Sequence, residues 1–142
     1  MSGTDGPEGA PNGPAARMGF AAGQVVLEIG DDDDVDSELQ AAIEVAIGSP
    51  MVGDDFGEVA DIVVLWWRDG DGDLVDALVD GLSAITSGGV VWLFTPKAGR
   101  HGHVEPSEIG EAARTAGLSS TKSMSAAPEW AGTRLVAPKL GR

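Results

Sequence analysis

The sequence predicts a three-layer α/β domain with a mainly parallel sheet of five or six strands and an antiparallel hairpin at its end. Two segments, DIVVLWW at 61–67 and VVWLF at 90–94, are continuous apolar runs. Such runs are typical of strands that are covered on both faces. Between them, apolar residues recur with helical spacing over 74–85, so strand, helix and strand form a parallel crossover unit.

The first βα unit precedes these runs. Residues 24–29, QVVLEI, predict a strand that ends at Gly30, and four consecutive aspartates follow it. Apolar residues then recur every four positions across 39–47, which indicates a helix. Asp34 or Asp36 is suited to cap its first turn, and Gly48 is suited to end it.

The remaining elements follow the two long strands. Asp71 or Asp73 is available to cap the helix over 74–85, and residues 87–89, SGG, would end it. Pro106 predicts the first turn of a third helix, which Gly117 would stop. Residues 118–126 and 133–137 then predict the two strands of the hairpin, joined through 128–132.

Length and composition define one domain and exclude several chemistries. The 142 residues are enough for one core. Residues 1–16 are rich in Gly and Pro and are predicted to be disordered, which leaves 17–142 as a single α/β domain. There is no cysteine, so disulfides, thiolate metal sites and cysteine nucleophiles are excluded. No apolar run approaches the roughly 20 residues of a membrane span, and we expect a cytoplasmic protein.

Charge is distributed unevenly along the chain, whose formal net charge is -14. Positions 31–80 contain sixteen acidic residues and one basic residue, Arg68, whereas positions 88–142 contain four acidic and seven basic residues. A field this negative repels nucleic-acid phosphates and anionic lipid headgroups. We therefore expect neither nucleic acid nor membrane as a partner.

Lys97 and Arg100 are the leading candidates for a binding site. They follow the strand over 90–94, at the carboxyl edge where open α/β sheets place their ligands. An arginine fork suits a carboxylate or a phosphate. The alternative is structural, because the acidic loops at 31–34 and 69–73 are expected along the same edge and would pair with these cations. The predicted ligand-binding or partner-binding site comprises Lys97, Arg100, His101, Asp31, Asp32 and Asp69.

Metal chemistry receives weaker support. Asp69, Asp71 and Asp73 have the spacing of the first ligands of an EF-hand loop, but Leu74 stands where the loop needs glycine. Helix capping explains these aspartates better. His101 and His103 alternate in a loop and would need further ligands from elsewhere, so we predict no metal site and no catalytic residues.

Four tryptophans stand out in a chain without tyrosine. Trp66 and Trp67 are adjacent in a strand and must point to opposite faces of the sheet. Core packing is the favoured role, with Trp130 in the hairpin as a candidate for a partly exposed interface residue.

Several segments resemble known families. GQVVLEIG at 23–30 resembles the first motif of Rossmann-like methyltransferases, and the later strands resemble the second half of that fold. WWRDGDGDLVDALVD, GGVVWLFTPKAGR and SAAPEWAGTRLVAPK resemble an actinobacterial domain of unknown function, DUF3052. The resemblance implies a truncated methyltransferase-like fold. It does not carry over the cofactor loop, because Gly30 stands alone before four aspartates, and the stretch that normally bears the adenosine contacts is too short.

The sequence favours a non-enzymatic interaction or regulatory module without a cofactor. Its recognition edge would consist of the acidic loops and the Lys97/Arg100 turn. The alternative is a binding domain or an enzyme for a small anionic metabolite at the same edge, and an active S-adenosylmethionine methyltransferase is disfavoured.

Overall fold

The computed structural model describes residues 14–138 of the chain. In these residues four α-helices, five strands and one 3-10 turn follow one another. The helices are α1 (Pro14–Arg17), α2 (Ser37–Ile47), α3 (Leu74–Ser83) and α4 (Pro106–Ala116), with the 3-10 turn at Asp54–Phe56. The strands are β1 (Val26–Ile29), β2 (Ala60–Trp66), β3 (Ile85–Pro96), β4 (Ser119–Ala127) and β5 (Trp130–Val136).

The strands form one sheet in the order β1-β2-β3-β5-β4. β1, β2 and β3 are mutually parallel, and β5 is antiparallel to both of its neighbours. β4 therefore points the same way as β3, so β5 alone among these strands runs in the opposite direction. The predicted α/β class, the mainly parallel sheet and the terminal hairpin are confirmed.

The two faces of the sheet carry separate cores. α1 and α2 cover one face, where Trp66, Trp92 and Phe94 are fully buried against apolar side chains of both helices. α3 and α4 cover the other face, where Leu78 and Ile109 pack against the inner strands. Helices on both faces explain why residues 62–66 of β2 and 90–94 of β3 are apolar at every position.

At the start of α2 and of α3, one of the two predicted aspartates caps the helix. Asp36 accepts a hydrogen bond from the Leu39 amide at 2.8 Å, and Asp73 accepts one from the Val75 amide at 2.9 Å. Gly48 ends α2 in the left-handed conformation with φ 84°, as predicted. The capping interpretation of Asp73 is therefore confirmed.

The junction between α3 and β3 differs from the prediction. The helical pattern was expected to continue through residue 85 and to end at 87–89, but α3 ends at Ser83 and Ile85 already pairs with Ala60 in the sheet. The strand then crosses an irregular step at Gly89, where a Cβ atom would lie 2.9 Å from the Thr86 carbonyl oxygen and 3.0 Å from that of Asp61. Glycine allows this close backbone approach, so the SGG segment lies within a strand instead of ending a helix.

The hairpin is also tighter than predicted. Only Pro128 and Glu129 separate β4 from β5, and Trp130 is the first residue of β5 with 4% of its surface exposed. The suggestion of a partly exposed interface tryptophan is wrong, because the indole completes the core on the α1/α2 side.

The start of the chain bears on the predicted disordered segment, 1–16. Residues 1–13 lie outside the described residues. α1 begins at Pro14, and Ala15 is buried in the core beside Met18 and Phe20. Structure therefore begins before the predicted boundary at residue 17.

Candidate functional site

A clamp at the carboxyl ends of β1 and β2 is centred on Arg68. Its guanidinium donates to both carboxylate oxygens of Asp34, at 2.6 and 2.9 Å. It also donates to the carbonyl oxygens of Gly30 at 3.0 Å and Trp66 at 3.2 Å, and to the Asp71 carboxylate at 3.2 Å. The fork of one arginine thus joins the loop after β1 to the loop after β2.

The clamp rests on the C-terminal hairpin. The Arg68 guanidinium carbon lies 5.4 Å from the centre of the Trp130 ring, within range of a cation–π contact. The Trp130 indole also donates to the Asp34 carbonyl oxygen at 3.2 Å and meets Trp66 edge-on at 4.9 Å. Gly102 packs on the Arg68 stem, where a Cβ atom would be 3.0 Å from that of the arginine. Loops after β1, β2 and β3 are held together by these contacts.

Ionisation of the pair follows from this geometry. Hydrogen bonds from Arg68 outweigh the small desolvation of Asp34 and hold the pKa of that carboxyl below its usual value. The same hydrogen bonds raise the pKa of the guanidinium. Both groups are charged at neutral pH, and the arginine side chain keeps only 14% of its surface exposed.

Lys97 and Arg100 do not pair with the acidic loops. The Lys97 ammonium donates to Ser125 Oγ at 2.6 Å, and Arg100 pairs with Glu129 at 2.8 Å. The Lys97 amide also donates to the Glu129 carbonyl oxygen at 3.0 Å. The expected salt bridges from this turn to residues 31–34 or 69–73 are therefore wrong, because the turn faces the β4–β5 hairpin.

Of the other predicted site residues, His101 lies in the loop after β3 and Asp69 lies in the loop after β2. His101 is exposed, whereas the Nδ1–H group of His103 donates a hydrogen bond to the Pro96 carbonyl oxygen at 2.9 Å. The Asp69 amide donates to the Gly102 carbonyl oxygen at 2.8 Å, which connects the loop after β2 to the loop of the histidines. Across residues 14–138, no three His, Asp or Glu side chains are grouped so that they could hold a metal ion.

An open cleft of about 360 Å³ lies beside the clamp. Four aspartates contribute to its lining, two after β1 and one each from the β2 loop and α3, while its apolar part includes Trp67. These aspartates are Asp31, Asp32, Asp71 and Asp80. Asp31 and Asp32 line this same cleft, and among its described lining residues Arg68 is the one with a basic side chain.

Residues 15–139 match the family described as "Protein of unknown function (DUF3052)". The chain belongs to this family. It is 49% identical over 125 residues to uncharacterized proteins of Mycobacterium tuberculosis and Mycobacterium bovis, covering 88% of this chain and 78% of each relative. The predicted resemblance to an actinobacterial family is confirmed.

Solved structures with a similar fold include several methyltransferases. An O-methyltransferase of neocarzinostatin biosynthesis, solved with S-adenosylmethionine, superimposes with a TM-score of 0.66 at 20% identity over 87% of this chain and 51% of its own. The pyocyanin biosynthetic protein PhzM gives 0.65 at 16%, over 85% and 52%. A Pyrococcus furiosus methyltransferase gives 0.53 at 14%, over 95% and 88%. The chain spans about half the length of the first two, and the similarity shows the fold alone.

The residues after β1 do not fit S-adenosylmethionine. A cofactor loop needs glycines that let the backbone wrap the ligand, but here Gly30 packs onto the end of β2. A Cβ atom on Gly30 would be 2.4 Å from the Trp66 carbonyl oxygen. Arg68 fills the space between the two strand ends, and the nearby carboxylates oppose the carboxylate of a methionine group. On the side of β1 away from β2, the described residues form one isolated β-bridge, between Leu27 and Val52.

Sequence reasoning missed the clamp. Arg68 was visible as the one basic residue in an acidic stretch, directly after a strand, and that isolation is the signal that could have found it. The contribution of Trp130 had no such signal, because Asp34 and Trp130 meet only when the hairpin joins the sheet. Glu28 was also unassigned, and it accepts hydrogen bonds from Trp66 at 2.9 Å and Gln40 at 2.6 Å.

Proposed function

We propose that the protein is a non-catalytic interaction module whose acidic strand-end edge receives a positively charged segment of a protein partner. The observation that carries the proposal is the internal use of Arg68. Its guanidinium is committed to Asp34, Asp71 and two carbonyl oxygens. The carboxylates of Asp31 and Asp32 therefore have no cationic partner among residues 14–138.

The cleft suits the side chain of a lysine or an arginine. Such side chains bury an apolar stem and keep a charged head in a polar environment. Leu65, Trp67 and Ala77 offer an apolar surface, while Asp32 and Asp80 supply negative charge at its rim. In the part of the chain that the structure describes, the residues lining the cleft include no serine, threonine, histidine or lysine, which favours recognition over catalysis by a hydroxyl, imidazole or amine nucleophile.

The experiment measures binding of a short fluorescent peptide of alternating arginine and glycine by anisotropy. At near-physiological ionic strength the Debye length is about 8 Å, so distant charges are screened. Neutralising the edge with Asp31→Asn, Asp32→Asn and Asp80→Asn removes three nearby charges. We expect affinity to fall by about 10- to 150-fold, at roughly 0.5–1 kcal/mol for each of the three charges.

A matched control removes the same charge elsewhere. Asp55→Asn and Glu58→Gln lie before the amino end of β2, and Glu111→Gln lies on α4. The affinity of this control variant for the peptide should fall by less than about threefold. Equal losses in the two variants would show that the peptide senses only the net charge, and the proposal would fail.

A small anionic metabolite at the Lys97/Arg100 turn is the second candidate. It is favoured by the Arg100 side chain, which keeps 48% of its surface exposed beside Glu129. A thermal-shift screen against nucleotides and phosphorylated metabolites tests it. A rise of several degrees that Lys97→Ala abolishes would support this candidate over the interaction module.

A further inference from the structure

We propose that a second site, on the opposite flank of the sheet from the acidic edge, binds the phosphate groups of a small anionic molecule. The site is a groove of about 280 Å³ between the end of α1 and the outer strands β4 and β5. Among residues 14–138, its lining contains three cationic side chains and no acidic one. The lining residues are Arg17, Met18, Gly19, Thr121, Lys122 and Arg134.

The composition of the groove departs sharply from that of the whole protein. The chain has 23 acidic and 9 basic residues, of which Lys139 and Arg142 lie outside the described part. Arg17, Lys122 and Arg134 are thus three of the seven basic residues in 14–138. Because the net charge of the protein is negative, most of its surface repels an anion, whereas this groove offers an anion favourable electrostatic contacts.

The groove wall is held firmly on the sheet. The Trp92 indole, which is fully buried, donates to the Met18 carbonyl oxygen at 3.1 Å, and Met18 itself is only 2% exposed. From the other side, the Lys122 ammonium donates to the Arg17 carbonyl oxygen at 3.3 Å. The two walls are therefore connected without any ligand, which lowers the ordering cost of binding.

Register places two of the cations side by side. Lys122 on β4 and Arg134 on β5 are partners across the hairpin, in the row that continues to Trp92 on β3. Arg134 donates to Thr121 Oγ1 at 3.0 Å. The other N–H groups of the Arg134 guanidinium have no hydrogen-bond acceptor among residues 14–138. An arginine fork beside a lysine point charge suits the several oxygens of a phosphate group.

The groove differs from the acidic edge in position and in ligand chemistry. The aspartates of the edge follow β1 and β2, whereas Lys122 lies on the strand at the other margin of the sheet. This inference does not rest on the function proposed for the edge. A protein that lost the edge aspartates would keep the groove.

The test titrates the ¹⁵N-labelled full chain with sodium tripolyphosphate and follows amide shifts. We expect a dissociation constant on the order of 0.1–1 mM, with the largest shifts at 17–19, 121–122 and 134. Lys122→Gln with Arg134→Gln should weaken binding at least about tenfold. The matched charge control for the single variant Lys122→Gln is Arg114→Gln, at an exposed position of α4, and it should leave the affinity within about twofold.

Three results would overturn the inference. They are shifts centred on the Lys97/Arg100 turn, no saturable shifts at about 10 mM tripolyphosphate, and equal losses of affinity in Lys122→Gln and Arg114→Gln. Should Arg134→Gln disturb folding, the exposed Lys122→Gln alone must still weaken binding by about threefold or more. A phosphoinositide headgroup offers the same chemistry on a membrane. Binding to phosphoinositide vesicles without binding tripolyphosphate would likewise refute a site for free phosphate compounds.

Discussion

Replacing Arg68 with methionine tests whether the clamp stabilises the strand-end edge. Methionine keeps an unbranched apolar stem near Gly102 but removes every hydrogen bond of the guanidinium. The two carbonyl contacts, to Gly30 and Trp66, contribute about 1 kcal/mol each. The Asp34 and Asp71 pairs add about 0.5–1 kcal/mol, a low figure because the Asp34 side chain is 53% exposed.

The Trp130 contact adds about 0.5–1 kcal/mol, so the substitution should lower the free energy of unfolding by about 3–4 kcal/mol. For a domain of this size that corresponds to a fall in Tm of about 10 °C. Urea unfolding followed by tryptophan fluorescence measures the effect. Arg100→Met is the control, because its pair with Glu129 is exposed on both sides, and it should cost less than about 1 kcal/mol.

A loss below about 1 kcal/mol in Arg68→Met would refute the reasoning, because the clamp would then add nothing beyond an ordinary surface pair. A double-mutant cycle with Asp34→Asn isolates the ion pair from the carbonyl contacts. We expect a coupling of about 1 kcal/mol between the two side chains.

Three further predictions concern the same edge. Gly30→Ala should lower the free energy of unfolding in urea by about 3 kcal/mol or more, because its Cβ would meet the Trp66 carbonyl oxygen. The control Gly48→Ala, at a glycine with a similar φ and open space around it, should lower it by only about 1–2 kcal/mol. Similar losses in the two variants would mean that the close approach of Gly30 to Trp66 is unimportant. The lowered pKa of Asp34 means that its stabilisation is present above the unfolded pKa of about 3.9 and is lost as pH falls through the folded value. The stability difference between the wild type and Asp34→Asn should therefore be constant between about pH 7 and 5 and shrink below about pH 4, and a difference that grows on acidification would contradict this. At neutral pH, added salt should raise the Tm because it screens repulsion among the aspartates, and a Tm that falls with salt would argue against crowding.

Local patterns were sufficient to predict most of the fold. Apolar runs located β2 and β3, and glycine and aspartate located the ends of α2. Those signals depend on neighbours in sequence, as in the bond from the Leu39 amide to Asp36. The boundary of α3 was misplaced because Ile85 fits a helical face and a strand equally well. Pairing with Ala60, a tertiary contact, decided between them.

The partners of charged residues could not be predicted in the same way. Parallel topology placed the loops along one edge, but it did not say which cation would face which acid. The Lys97 ammonium contacts Ser125 of the hairpin, whereas Arg68 contacts Asp34 and lies over the Trp130 ring. The directions of these side chains depend on the tertiary packing of the core, so the spacing of residues along the sequence does not predict them.

The hydrogen bond from Trp130 to the Asp34 carbonyl oxygen joins positions 96 residues apart. During synthesis, the loop after β1 leaves the ribosome long before the last strand does. Contacts of such long separation form late, since the chain must first close the loop between them. The charged edge is therefore among the last surfaces to take shape. A nascent or truncated chain that ends before Trp130 would carry the aspartates without the arrangement that orders them.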